Sequence, residues 1–110
     1  MTELLISVRN AQEAQTILNT VPDLAILDIK EPRLGALSAT SPETWHNVAT
    51  LDIGSTLLSV ALGELSEYDL ATSNLIPNSV RYAKIGLSGQ AEKDWVNPWK
   101  CIASSLPHNT

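Results

Sequence analysis

Three ionisable side chains and two glycines carry the chemistry open to this sequence. Asp28 and Lys30 stand two residues apart at the end of an apolar run, LAILDIKEP (24–32), and Lys84 sits in a second run, RYAKIGL (81–87). Lysine is costly to bury and is usually found in water, so a lysine that closes a core-like run needs a reason. Two readings are open. The stem can carry the ammonium to solvent beside Asp28 or Glu31, as in an ordinary strand-end ion pair. Alternatively the amine is a nucleophile. A free lysine titrates near ~10.4, so it then needs desolvation or a neighbouring cation to expose its lone pair. Lys84 is a candidate for that cation, and Asp28 could orient the amine or hold a substrate hydroxyl. Lys84 also has a plain reading, a lysine neutralised by Asp28. Arg9 could bind a phosphate or be a surface arginine. Ser7 and Ser59 could contact substrate or fill space. Gly63 and Gly86 suit either a tight turn or the close approach of a ligand.

Composition narrows the class. The 110 residues suffice for one domain, residues 1–110. At 44% hydrophobic and 17% charged residues the chain reads as a globular protein. Net charge is −5 and the seven basic residues are scattered, which argues against nucleic acid as a partner. Cys101 is the lone cysteine, so no intrachain disulfide can form, and no Cys/His spacing resembles a zinc site. No metal or cofactor is expected. His46 and His108 read as surface residues, and Cys101 as a packing residue of the last helix. The N-terminus lacks the charged and apolar regions of a signal peptide. No apolar run approaches the ~20 residues of a membrane helix. The expected setting is the cytoplasm, with no membrane partner.

The elements that would position these residues alternate. Residues 4–8 read as a strand. Asn10 and Glu13 resemble a capping box, and Ala11, Ala14, Ile17 and Leu18 recur at helical spacing. Residues 24–29 read as a second strand. Ser41 and Pro42 suit the cap and first position of a second helix, whose apolar face holds Trp45, Val48 and Ala49. Residues 56–62 form a third strand, closed by Gly63, and residues 65–76 a weaker helix. Residues 81–87 form a fourth strand and 97–106 a last helix. The order βαβαβαβα implies a parallel sheet covered by helices.

Strand parity sorts the residues. One face carries Ile6, Val8, Leu27, Ile29, Leu58, Val60, Leu62, Ala83, Ile85 and Leu87, apolar throughout. The other carries Leu5, Ser7, Arg9, Ile26, Asp28, Lys30, Ser59, Ala61, Gly63, Tyr82, Lys84 and Gly86, and turns polar toward each strand's C-terminal end. An open doubly wound sheet is apolar on both faces. In a (β/α)₈ barrel the second face points inward and its C-terminal residues line the active site. The pattern fits half of a TIM barrel, a (βα)₄ unit with helices on the outer face. A flavodoxin-like open sheet is the alternative.

The segments SVRN, LDIKEPRLGALSA, SVALGE and YAKIGLSG, at the ends of the four strands, together resemble the (5-formylfuran-3-yl)methyl phosphate synthase family. The resemblance covers nearly all of this chain but the N-terminal half of the family's (β/α)₈ domain. It implies a lyase that joins two glyceraldehyde 3-phosphate molecules, releasing phosphate and water, to make the furan precursor of the C1 carrier methanofuran. Lys30 falls on the family's Schiff-base lysine and Lys84 on its proton acceptor. The phosphorylated substrate would meet Ser7, Arg9, Asp28, Ser59, Gly63 and Gly86. Two positions depart from the family's pattern: Ser38 replaces a glycine, and Glu64 stands where aspartate is usual.

Two competing readings come from other classes. LDIKEP also loosely resembles the D-x-K motif of orotidine-phosphate decarboxylases, in which lysine and aspartate act without a Schiff base. A noncatalytic half-barrel that scaffolds a partner is the third. A four-unit chain would leave Leu5, Ile26, Ala61 and Tyr82 without opposing strands and two sheet edges unpaired. The expectation is self-association as a homodimer, or completion by a missing second half, and no synthase activity from the half alone.

Overall fold

A computed structural model describes residues 3–35, 37–88, 94–108 and 110. Its main elements are β1 (Leu5–Val8), α1 (Ala11–Thr20), β2 (Ile26–Ile29), α2 (Pro42–Ala49), β3 (Leu57–Glu64), β4 (Val80–Gly86) and α3 (Val96–Ser105). Local chemistry sets the helix starts. Asn10 Oδ1 accepts the Glu13 amide at 2.8 Å, and Ser41 Oγ accepts the Thr44 amide at 3.3 Å. The capping box closes one residue earlier than the usual pattern: Glu13 Oε1 takes the amide of Arg9, not of Asn10, at 2.8 Å.

Between β3 and β4 the expected helix is absent. Two 3-10 segments, Leu65–Glu67 and Leu70–Leu75, take its place. The reason lies in the polar side chains of DLATSN, which offer the backbone alternatives to helical bonding. Asp69 Oδ1 takes the Ala71 amide at 2.9 Å, and the Tyr68 hydroxyl lies 2.6 Å from Ser73 Oγ. Ser73 also meets Ser105 Oγ at 2.7 Å, which ties this connection to α3.

All four strands are parallel and lie in the order β1-β2-β3-β4. Spatial order equals chain order. The flavodoxin-like alternative is thereby excluded, because it places the first strand between the second and third. Parity holds for the helix-covered face along β1, β2 and β3, whereas Leu87, assigned to that face past the end of β4, is exposed. Val8, Leu27, Ile29, Leu58, Val60 and Leu62 form one core with Ala14, Trp45 and Val48 of the helices. On the other face Leu5 and Tyr82, at the sheet margins, are exposed and Ile26 is half-buried. Ala61, expected to lack cover there, is fully buried. A methyl group on an inner strand is enclosed by longer neighbours on both sides, whereas margin residues have neighbours on one.

Two further expectations are corrected. Cys101 is exposed, because α3 turns Ile102 to the interior instead. β3 does not stop at Gly63 but runs on to Glu64. Ala61 pairs with Lys84 and Glu64 with Gly86, so three steps along β3 match two along β4. That one-residue excess is a β-bulge. Gly63 makes it with φ of +84°, and its amide leaves the ladder to reach the Leu37 carbonyl at 2.7 Å. His46 and His108 are exposed, as expected.

Candidate functional site

The strand register lays the polar residues out in rows. Ser7, Asp28, Ser59 and Tyr82 are successive partners across the sheet. Two residues further along each strand, the register brings Lys30, Ala61 and Lys84 level. Lys30 continues the ladder past the end of β2, its amide donating to the Val8 carbonyl at 3.0 Å. The two lysines flank Ala61, two strand spacings apart, roughly 10 Å between their Cα atoms. A methyl group between them leaves space above β3 for both long side chains.

Asp28 is the hub. Its Oδ2 accepts from Lys84 Nζ at 2.7 Å and from Ser7 Oγ at 3.2 Å. The ion pair reaches across β3, from β2 to β4. Asp28 is fully buried while the Lys84 side chain is 34% exposed, so the carboxylate is sealed and the ammonium is partly open. Asp28 Oδ1 and Ser59 Oγ are both buried and lack hydrogen-bond partners among the described residues. Buried polar atoms are normally satisfied, and this neighbouring pair can accept and donate to one small polar group.

Lys30 differs from Lys84. Among the described residues its ammonium makes neither an ion pair nor a hydrogen bond, for Asp28 is committed to Lys84. Glu31, the other partner considered, caps the turn at Pro32–Leu34 by accepting the Arg33 amide at 3.1 Å. The strand-end ion pair thus describes Lys84 and not Lys30.

Arg9 stands apart from the cluster. Its guanidinium turns to α1, where Nη2 meets Glu13 Oε2 at 3.1 Å. The hydrogen bond and charge of Glu13 raise the arginine's pKa, and the same contact holds the Glu13 carboxyl below its ordinary range. Gly86 faces the cluster side, but what fills the space above it is Glu64, whose carboxylate would meet any Cβ added there. The sequence marked Glu64 as standing where the family usually has aspartate but assigned it to neither face of the sheet. The signal was Gly63, a glycine inside a strand pattern, which marks a bulge. No metal-binding group of His, Cys, Asp and Glu occurs among the described residues, and no helix among them is long and apolar enough to cross a membrane.

Comparison with known proteins agrees with the motifs. The 4-HFC-P synthase family model matches residues 4–109. A Methylorubrum extorquens protein provisionally named (5-formylfuran-3-yl)methyl phosphate synthase is 33% identical over 88 residues, 78% of this chain. The chain spans 36% of that relative's length. No solved structure matches the chain. A family match along almost every described element, with its lysines and aspartate gathered on one face of the sheet, means that the chain belongs to the 4-HFC-P synthase family.

Proposed function

We propose that this chain provides the Schiff-base half of a lyase that condenses two glyceraldehyde 3-phosphate molecules to (5-formylfuran-3-yl)methyl phosphate, for methanofuran synthesis. One observation carries the reading: among the described residues Lys30 has no anionic partner, in the same row as Lys84, whose charge Asp28 takes. Lys30 Nζ adds to the aldehyde carbon, water leaves, and an imine forms. The imine withdraws electrons and acidifies the adjoining C–H, whose proton Lys84 takes. Lys84 must first hand on its own proton, and Asp28 Oδ2, 2.7 Å away, is in reach.

The fold that suits this chemistry is half of a (β/α)₈ barrel. Sequential parallel order, helices over the apolar face and polar C-terminal strand ends support it. The margins β1 and β4 then receive further strands, from a second half or a second copy of this chain. The phosphate sites of such barrels lie after the seventh and eighth strands, so the second half would supply them.

Borohydride reduction in the presence of glyceraldehyde 3-phosphate, followed by mass spectrometry, tests the proposal. The adduct should map to Lys30 and vanish in Lys30→Ala. Lys84→Ala should keep the adduct and, in the completed enzyme, lose turnover. Absence of an adduct on the native protein would overturn the Schiff-base reading in favour of lysine–aspartate chemistry without a covalent intermediate. Loss of the adduct in Lys84→Ala alone would reverse the two roles.

A further inference from the structure

Simple alternation from Leu58, Val60 and Leu62 would send Glu64 beneath the helices, where an unpaired carboxylate is costly. The bulge at Gly63 prevents that. A Cβ at Gly63 would meet nothing within 4 Å, so glycine is needed there for its φ of +84° and not for space. Gly86 is the converse case. Its backbone is ordinary, but an added Cβ would strike the Glu64 carboxylate, with the carboxyl carbon at 2.6 Å. Gly86 shares strand parity with Lys84, so the carboxylate lies on the lysines' face. One glycine turns Glu64 onto that face and the other receives it.

Once there, Glu64 Oε2 accepts the amide of Ser88 at 2.9 Å. Ser88 follows the end of β4, four residues after Lys84. On the other side, the Gly63 amide holds the Leu37 carbonyl at 2.7 Å, and Ser38 in turn accepts the Glu31 amide at 2.9 Å. A single bulge thus anchors both the chain that leaves Lys30 and the chain that leaves Lys84.

We propose that Glu64, turned inward by the Gly63 bulge, is a positioning residue that fixes the exit of β4 and with it the direction of the Lys84 side chain against Asp28. The inference rests on the site described above, and only its turnover readout rests on the proposed reaction.

The test compares Glu64→Ala, Glu64→Gln, Gly86→Ala and the Glu64→Ala/Gly86→Ala double variant. Hydrogen exchange at the Ser88 amide and the NMR resonance of Lys84 Nζ are the readouts. Glu64→Ala and Gly86→Ala should each speed Ser88 exchange about tenfold, the equivalent of one hydrogen bond, and shift the Lys84 resonance. Glu64→Gln keeps an oxygen that can accept the amide, so it should retain both native signals. Gly86→Ala should add nothing once Glu64 is removed. In the completed enzyme, Glu64→Ala should lower kcat by about tenfold or more with KM nearly unchanged. A native Lys84 resonance in Glu64→Ala overturns the proposal. So does equal damage from Gly86→Ala with and without Glu64. If Glu64→Ala does not fold, Gly86→Ala and Glu64→Gln decide by the same two signals. A native enzyme that fails to turn over glyceraldehyde 3-phosphate would refute the reaction and leave these signals to decide the role of Glu64.

Discussion

Lys84→Met keeps most of the lysine stem, deletes its ammonium, and strands a carboxylate that has no access to water. At 2.7 Å, with an effective dielectric constant near 20, the attraction lost is about 6 kcal/mol before solvation is counted. Withdrawing a carboxylate from water costs several kcal/mol, so the net value of the pair is much smaller. Breaking a buried pair by removing one partner typically costs ~3–5 kcal/mol. Here the Lys84 side chain is 34% exposed and Ser7 still donates to Asp28 at 3.2 Å. Both lower the expected loss, to about 2–3 kcal/mol. Asp28→Asn should cost less, about 1–2 kcal/mol, because the half-open lysine can turn to water. In the double variant no charge is stranded, so it should resemble Asp28→Asn alone. Urea unfolding of the four proteins, followed by the fluorescence of the buried Trp45, measures the coupling. Losses that add to within ~0.5 kcal/mol would refute the idea that Lys84 compensates a buried charge.

Three other outcomes are expected. Lys30→Ala, which removes no ion pair, should change unfolding free energy by less than about 0.5 kcal/mol while abolishing the borohydride adduct; a large loss in a urea titration would mean that Lys30 is structural. Trp45→Ala, at a site 1% exposed, should cost about 3–5 kcal/mol in a urea titration followed by circular dichroism, and a loss below ~1 kcal/mol would contradict its place in the core. Tyr68 has its pKa raised, first by burial, against the opposing hydrogen bond to Ser73. A raised folded-state value means that its contribution is complete below the ordinary tyrosine pKa of 10.0 and is lost as pH rises through the folded value. Thermal melts in alkaline buffer should therefore fall less steeply for Tyr68→Phe than for the native chain, and parallel curves would exclude the tyrosine.

Much was decided by local sequence. Asn10 and Ser41 cap their helices because a side-chain oxygen near its own chain needs no tertiary partner. The alternation of residues 24–30 and 56–62 assigns Leu27, Ile29, Leu58 and Val60 to the core and Asp28 and Ser59 to the opposite face, since the pleat has a fixed period of two. The motifs at four strand ends identified the family. The same period of two assigned Lys30 and Lys84 to one face, at the C-terminal ends of their strands.

Only the tertiary structure decided which charges meet. Asp28 and Lys84 are 56 residues apart, and their union depends on β2 and β4 lying one strand apart in a particular register. That union leaves Lys30 unpaired among the described residues, although sequence offered Lys30 the nearer claim on Asp28. The face of Glu64 was also undecided, because a bulge breaks the period on which parity rests, and a one-residue slip sends every later side chain to the other side. The stretch between β3 and β4 carried a weak helical pattern and became 3-10 turns, since Asp69 and Ser73 found partners that competed with the helix. Periodicity speaks for a residue's side of the sheet; which partner it finds there is settled by register, bulge and burial, and those belong to the folded chain as a whole.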